Sequence, residues 1–164
     1  MNWDKILEMK FSHGKILPPL EIHSYENFWT QKDFEIHLCM PNCGGFVAYD
    51  GAKPIAFIAF EISLRDHMVF VWNLVVHTQY RRIGLGTALI KKVLEIANEN
   101  NCIVRINTRE TNLDVQFFLK SIGFKATHVE RQYFVDELTT GIEIEDAFCF
   151  ASVVRKKKEE LVNE

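Results

Sequence analysis

The chain has 164 residues, of which 48% are hydrophobic and 25% are charged, and its formal net charge is −3. This length and composition are typical of one globular domain with a substantial core. The small negative charge argues against a nucleic-acid partner, and the absence of an apolar run of about 18 residues argues against a membrane span.

The first forty residues carry the weakest pattern. Residues 1–20 fit either a short helix or a first strand, and Pro18-Pro19 breaks them. Ser24 is a suitable N-cap for a helix predicted over Tyr25–Leu38, whose aromatic side chains are candidates for the core. The N-terminal residues lack the pattern of a secretory signal, so we expect a cytoplasmic protein.

The four cysteines, at positions 39, 43, 102 and 149, are scattered through apolar and loop contexts. We therefore expect free thiols in a reducing compartment. His37, Cys39 and Cys43 resemble a metal-ligand pattern, but no fourth ligand follows at a suitable spacing. No metal site is predicted.

An antiparallel meander of three strands is predicted over residues 46–76. After a loop at Pro41–Gly45, the runs Phe46–Tyr49 and Pro54–Ile62 flank Asp50-Gly51, which is a strong hairpin signal. The third run, Val69–Val76, is short, almost free of charge and rich in β-branched residues, so we expect a strand buried on both faces.

The second half of the chain alternates helices and strands. Apolar residues recur at helical spacing from about Gly84 to Asn100. Ile103–Thr108 then predicts a strand, and because a helical crossover precedes it, we expect it to run parallel to Val69–Val76. A further helix is predicted to begin at Asn112 as N-cap.

Two apolar runs close the chain. Gly123 is predicted to end the preceding helix in a left-handed conformation. Lys125–Val135 and Ile142–Val154 are then expected to form a hairpin. We expect residues 1–154 to form a single domain, and residues 155–164 to form a charged tail.

The segment Arg81–Gly86, which reads R-R-I-G-L-G, links the buried strand to the helix. Glycine lets the backbone approach a ligand closely, and amides at a helix N-terminus attract anions. We refer to residues 81–86 as the glycine turn, and it predicts a diphosphate site made mainly of backbone. The dinucleotide fingerprint does not fit, because Leu89 stands where it needs a third glycine, and the phosphate-loop motif is absent.

The pattern R-x-x-G-x-G between an apolar strand and an amphipathic helix resembles the coenzyme A pyrophosphate loop of the GNAT superfamily of N-acetyltransferases. A second stretch resembles the family motif N-x-x-A-x-x-F-Y-x-x-x-G-F, with matches at Asn112, Phe118, Gly123 and Phe124, and with Val115 in place of alanine. The resemblance implies an α/β (α+β) fold. Its sheet would be mixed, mostly antiparallel and twisted, with six to seven strands, helices on both faces and splayed central strands.

The resemblance also implies acetyl-CoA as the cosubstrate, no metal, and direct attack by a primary amine on the thioester. The pantetheine arm would pair with the backbone of the central strand, and the pyrophosphate would lie on amides at the helix start. The residues implied in cofactor binding are Leu74, Val75, Val76, Arg81, Arg82, Ile83, Gly84, Leu85, Gly86, Thr87 and Asn112.

The usual acid and base positions of the family are occupied here by Leu119, Asn107 and Phe70, none of which can exchange a proton in this role. The candidates that remain are Glu61 as the base through water, Glu110 as a second base and Tyr133 as the acid.

Two functions therefore stay open. One is a working N-acetyltransferase. The other is a sensor or regulatory module of the same fold that binds an acyl-CoA with little or no turnover. The sequence does not identify the amine acceptor, and the resemblance is compatible with a homodimer. A module that prefers NAD or ATP is not expected.

Overall fold

The computed structural model describes residues 6–9, 36–51, 53–138 and 141–153. A helix is predicted over Tyr25–Leu38, and the structure describes its end, which is helical over residues 36–39. The rest of that helix, most of residues 1–20 and the tail at 155–164 lie outside the described residues. The chain divides into two compact units, a first unit of Met1–Asn107 and a second unit of Thr108–Glu164. The single domain over residues 1–154 stays a prediction.

The first unit contains the predicted meander. Its strands are β1 (Ile6–Met9), β2 (Cys43–Asp50), β3 (Lys53–Ser63), β4 (Met68–Val76) and β5 (Ile103–Arg109), the last of which continues into the second unit. Neighbouring strands follow the order of the chain: β1 to β4 pair antiparallel, and β4 pairs parallel with β5. The meander and the parallel pairing are therefore confirmed.

The loop predicted over Pro41–Gly45 is wrong in its second half, because β2 already begins at Cys43. Gly45 pairs with Ala59 on β3, and a Cβ built on Gly45 would lie 2.7 Å from the carbonyl oxygen of Ile58. This contact is closer than a side chain tolerates. The glycine here permits close strand pairing, whereas the sequence pattern suggested a loop.

The helix predicted after the glycine turn is α1, Leu85–Glu99. It packs against β3 and β4. Its buried side chains recur at helical spacing, as one apolar face requires: they are Leu85, Leu89, Ile90, Val93 and Ala97. Among the described residues, no helix is long and apolar enough to cross a bilayer.

The second unit holds α2 (Leu113–Ser121) and the hairpin of β6 (Lys125–Leu138) and β7 (Gly141–Ala151). The Asn112 side chain accepts a hydrogen bond from the Val115 amide at 3.3 Å, so the predicted N-cap is confirmed. Gly123 has φ +94°, as predicted for the helix end.

Within the first unit β1 to β5 are neighbours in chain order, and within the second unit β6 pairs with β7. The β4–β5 pair is parallel, and the ladders β1–β2, β2–β3, β3–β4 and β6–β7 are antiparallel. The mixed, mostly antiparallel fold class is confirmed.

Candidate functional site

The ladder between β4 and β5 joins only the beginnings of the two strands. It runs from Met68↔Ile103 to Val71↔Ile106, whereas β4 continues to Val76. This early end of the ladder is the splay that the family resemblance implies. The second half of β4 is described as paired with β3 and not with β5, because the β3–β4 ladder continues as far as Ala56↔Val76.

A bulge in β4 coincides with the end of this ladder. Phe60 pairs with Val71 and Ala59 pairs with Asn73, so Trp72 is an extra residue on β4. A bulge bends its strand and increases the local twist. We attribute the separation of β4 from β5 to the extra residue, because the two features meet at the same position along the strand.

The backbone groups of β4 after the bulge point alternately to its two sides. The His77 amide donates to the Ile55 carbonyl at 2.8 Å, which fixes the phase of the β3–β4 hydrogen bonds. By the alternation of an antiparallel ladder, Val75 directs its amide and carbonyl to β3, and Leu74 and Val76 direct theirs to the side where the β5 ladder has ended. Of the three residues predicted to pair with pantetheine, Leu74 and Val76 are thus oriented for it.

The segment between β4 and α1 is tightly turned. A 3₁₀ turn at Thr78–Tyr80 is followed by Arg81, whose Nε donates to the Val76 carbonyl at 3.1 Å. Arg82 and Gly84 then adopt left-handed conformations, with φ of +64° and +94°. A left-handed arginine is unfavourable by about 1–2 kcal/mol, and such backbone strain tends to occur at functional sites.

The start of α1 presents backbone donors. The Ala88 amide donates to the Gly84 carbonyl at 2.9 Å, so the amides of residues 85–87 precede the first acceptors of the helix. The N-cap Gly84 has no side chain with which to cap them. The residues of the glycine turn from Arg81 to Gly84 are exposed, and Ile83 is among them. This arrangement suits an anion.

Glu61 lies on β3 directly opposite Phe70, at the end of the β4–β5 ladder. Its carboxylate accepts a hydrogen bond of 3.2 Å from Nε1 of Trp72, the bulge residue. The Phe70 and Trp72 rings meet edge to face with centroids 4.7 Å apart, and Trp72 is 44% exposed. The first candidate base is therefore held by aromatic neighbours beside the splay.

Two titratable groups near Glu61 belong to the core of the first unit. His37 is buried and its Nε2–H donates to the Phe60 carbonyl at 3.1 Å, and burial lowers the pKa of its imidazole. Burial, with a smaller effect of the Glu61 charge, raises the pKa of the Cys43 thiol to about 11. Both groups are therefore neutral at pH 7.

The other two candidates lie in the second unit. The Glu110 amide donates to the Asp146 carbonyl at 3.0 Å, and a Glu110 carboxylate oxygen accepts from the Asp146 amide at 3.4 Å. Tyr133 is 39% exposed and its ring meets Phe134 edge to face at 4.9 Å. Glu110 is therefore hydrogen-bonded to β7, and Tyr133 lies where the register between β6 and β7 shifts.

Asp146 connects the surroundings of Glu110 and Tyr133. Its carboxylate accepts from the Gln132 amide at 2.8 Å and from the Arg131 guanidinium, and these bonds lower the pKa of the Asp146 carboxyl group. Gln132 itself is left-handed, with φ +52°. A sequence motif could not have shown this network, because its members come from β6, β7 and the turn after β5.

Two remaining sequence positions have clear structural roles. Leu119, which stands at the family's usual tyrosine position, is fully buried in the second unit. It is a core residue of α2, and its side chain has no group that could donate a proton. The Asn112 side chain is engaged as the cap of α2, and whether it also contacts a cofactor stays a prediction.

A sequence profile described as the acetyltransferase (GNAT) family matches residues 15–124. An N-alpha-acetyltransferase of Sulfurisphaera tokodaii is 33% identical over 90 residues, which are 54% of this chain and 48% of that protein. The chain therefore spans about half the length of the curated relative it matches.

Solved structures share the fold. The ribosomal-protein-S18-alanine N-acetyltransferase from Escherichia coli has a TM-score of 0.69 at 23% identity, with 87% of this chain and 88% of that chain covered. A GNAT family acetyltransferase from Elizabethkingia anophelis with acetyl-CoA bound has a TM-score of 0.69 at 14% identity, with 92% and 99% covered. At such identities the likeness shows the fold alone.

Proposed function

Because the chain belongs to the acetyltransferase (GNAT) family, we propose that it transfers the acetyl group of acetyl-CoA to a primary amine. One observation carries this proposal. The β4–β5 ladder ends at Val71↔Ile106, and the same β4 leads through the glycine turn to a helix start whose N-cap, Gly84, has no side chain. Together, these features provide backbone partners for an extended amide-containing arm and for a diphosphate.

In the proposed complex, pantetheine lies along the second half of β4 and pairs with the outward backbone groups of Leu74 and Val76, as an added strand would. The diphosphate lies on the amides of residues 85–87, and the charges of Arg81 and Arg82 favour it. The Arg81 bond to the Val76 carbonyl uses one acceptor of β4, so Leu74 supplies the main pairing position.

The proposed reaction is direct. The neutral amine attacks the thioester carbonyl, a C–N bond forms, the C–S bond breaks, and the thiolate takes up a proton. The Leu74 amide would donate to the carbonyl oxygen as charge develops on it. Holding the two reactants together provides most of the acceleration. Glu61 would remove the ammonium proton through water, with Glu110 as the second candidate base and Tyr133 as the candidate acid.

The acceptor class follows from the relatives only as a proposal. The similar proteins named above include an N-alpha-acetyltransferase and a ribosomal-protein-S18-alanine N-acetyltransferase. We therefore propose that the α-amine of a polypeptide is the first acceptor to test, ahead of small amines and amino acids. A regulatory acyl-CoA-binding module is the second candidate, and the buried leucine at position 119 favours it.

The test is a measurement of free thiol released from acetyl-CoA in the presence of peptides, small primary amines and amino acids. We expect thiol release that depends on the acceptor. Tight binding of coenzyme A in calorimetry without acceptor-dependent thiol at any pH from about 6 to 9.5 would instead support the regulatory module. A folded protein that ignores millimolar coenzyme A thioesters would contradict both functions.

A further inference from the structure

A side-chain hydrogen bond joins the segment before the glycine turn to the β2–β3 hairpin. The Tyr80 hydroxyl donates to a carboxylate oxygen of Asp50 at 2.7 Å, and the two residues are 30 positions apart in the chain. Asp50 ends β2 at the β2–β3 turn. A hydrogen bond to a carboxylate is stronger than one between neutral groups. This bond also raises the pKa of Tyr80, because a carboxylate acceptor favours the protonated hydroxyl over the phenolate.

Local contacts fix the Tyr80 ring for this bond. The Tyr80 amide donates to the His77 carbonyl at 2.8 Å, and the two rings meet edge to face with centroids 5.7 Å apart. The His77 imidazole in turn accepts from the Gln79 amide at 3.3 Å. Tyr80 is thus held from its own 3₁₀ turn on one side and from the β2–β3 turn on the other.

The position of Tyr80 gives the bond its importance. Arg81 follows immediately and is bonded to β4, and Arg82, with φ +64°, comes next. A left-handed residue with a Cβ requires support from its surroundings. The two bonds directly before Arg82 provide that support, so they order the glycine turn before a ligand arrives, and such ordering increases affinity.

We propose that Tyr80 and Asp50 are positioning residues for the acetyl-CoA diphosphate: their hydrogen bond holds the glycine turn in the conformation that binds it. An exposed aspartate in the β2–β3 turn therefore contributes to cofactor affinity without touching the cofactor. This inference rests on the proposed function of the glycine turn.

The test compares Tyr80→Phe, which removes only the hydroxyl, with Asp50→Ala and with the double variant. We expect the Kd for coenzyme A and the KM for acetyl-CoA to rise about three- to tenfold in each single variant, with kcat almost unchanged. The double variant should bind no more weakly than the weaker single variant, because both changes break the same bond. Asp50→Asn keeps an acceptor oxygen and should restore part of the affinity.

The matched controls are Ser63→Ala and Asp66→Ala. The Ser63 hydroxyl donates to the Asp66 carboxylate at 2.6 Å in the β3–β4 turn, so these variants remove the same kind of bond from another hairpin. They should leave the KM for acetyl-CoA unchanged. Thermal unfolding of every variant shows whether a change in affinity exceeds the change in stability.

The outcomes distinguish a failure of the positioning role from a failure of the proposed function. If the wild-type protein does not bind coenzyme A, the proposed function and the positioning role are both wrong. If the wild type binds and Tyr80→Phe binds equally well, only the positioning role is wrong. Additive losses in the double variant, or a fall in kcat at constant KM, would also overturn the role.

Discussion

Substitution of Gly86 by glutamate should separate stability from cofactor binding, because the two effects have opposite signs. Gly86 is the second residue of α1. A carboxylate in the first turn of a helix is favourable by about 0.3–1 kcal/mol, and replacing a helical glycine by a residue with a side chain also restricts the unfolded chain. The variant is therefore expected to fold at least as stably as the wild type.

The same carboxylate should oppose the diphosphate that we place on these amides. For a separation of ~6 Å from a diphosphate with two negative charges, at an effective dielectric constant of ~40, Coulomb's law gives about 3 kcal/mol. That energy corresponds to a rise in Kd of about 100-fold. Gly86→Gln is the control, because it adds nearly the same volume without the charge.

The assay is calorimetric titration with coenzyme A, together with thermal unfolding of both variants without ligand. The expected result is a much weaker affinity for Gly86→Glu than for Gly86→Gln, and an unfolding temperature no lower than that of the wild type. Because the repulsion is electrostatic, the difference between the two variants should shrink at high salt. Equal affinities for the two folded variants would refute the placement of the diphosphate.

Three further outcomes are expected. Glu61→Gln should lower kcat by roughly 100-fold at constant KM for acetyl-CoA, and an unchanged rate from about pH 6 to 9.5 would remove Glu61 from the mechanism. Burial lowers the pKa of His37 from 6.5, so its contribution to stability is full above pH 6.5 and is lost as the pH falls towards the folded-state pKa. Between about pH 7.5 and 5, the unfolding temperature should therefore fall more steeply with pH in the wild type than in His37→Gln. Equal slopes of unfolding temperature against pH would contradict this. Asn112→Ala removes the cap of α2 and should lower the unfolding free energy in denaturant by about 1 kcal/mol. Asn112→Ser keeps a capping oxygen and should lower that free energy much less. Equal losses of unfolding free energy in the two variants would exclude capping.

The features predicted correctly from sequence depend on signals that lie close together in the chain. Asp50-Gly51 predicts its hairpin from a few adjacent residues, and the apolar residues of α1 recur within the helix segment itself. Asn112 and Gly123 mark the two ends of α2 because capping is a local interaction. The turn between β4 and α1 is visible in the sequence for the same reason, and its binding of a diphosphate stays a prediction.

The features that sequence analysis missed depend on strand register. Trp72 is an ordinary member of an apolar run until its pairing shows it to be the extra residue of β4. The bond between Tyr80 and Asp50 joins residues from separate elements, and so does the bond between His37 and the Phe60 carbonyl. A shift of one residue in pairing would rearrange all of these contacts, and no local pattern specifies it.

The number of residues in β4, more than their identity, decides which backbone groups are available to bind a thioester. Before the extra position, Val69 and Val71 belong to the ladder with β5, and after it the outward set becomes Leu74 and Val76. A deletion of one residue there would remove the bulge while Leu74 and Val76 kept their outward direction. The β4–β5 ladder could then continue, and the backbone groups of Leu74 and Val76 would pair with β5 instead of a ligand. Replacement of the Trp72 indole by another side chain would leave the extra residue, and therefore the bulge, in place. A comparison of side chains alone would not reveal the effect of such an inserted residue on the backbone.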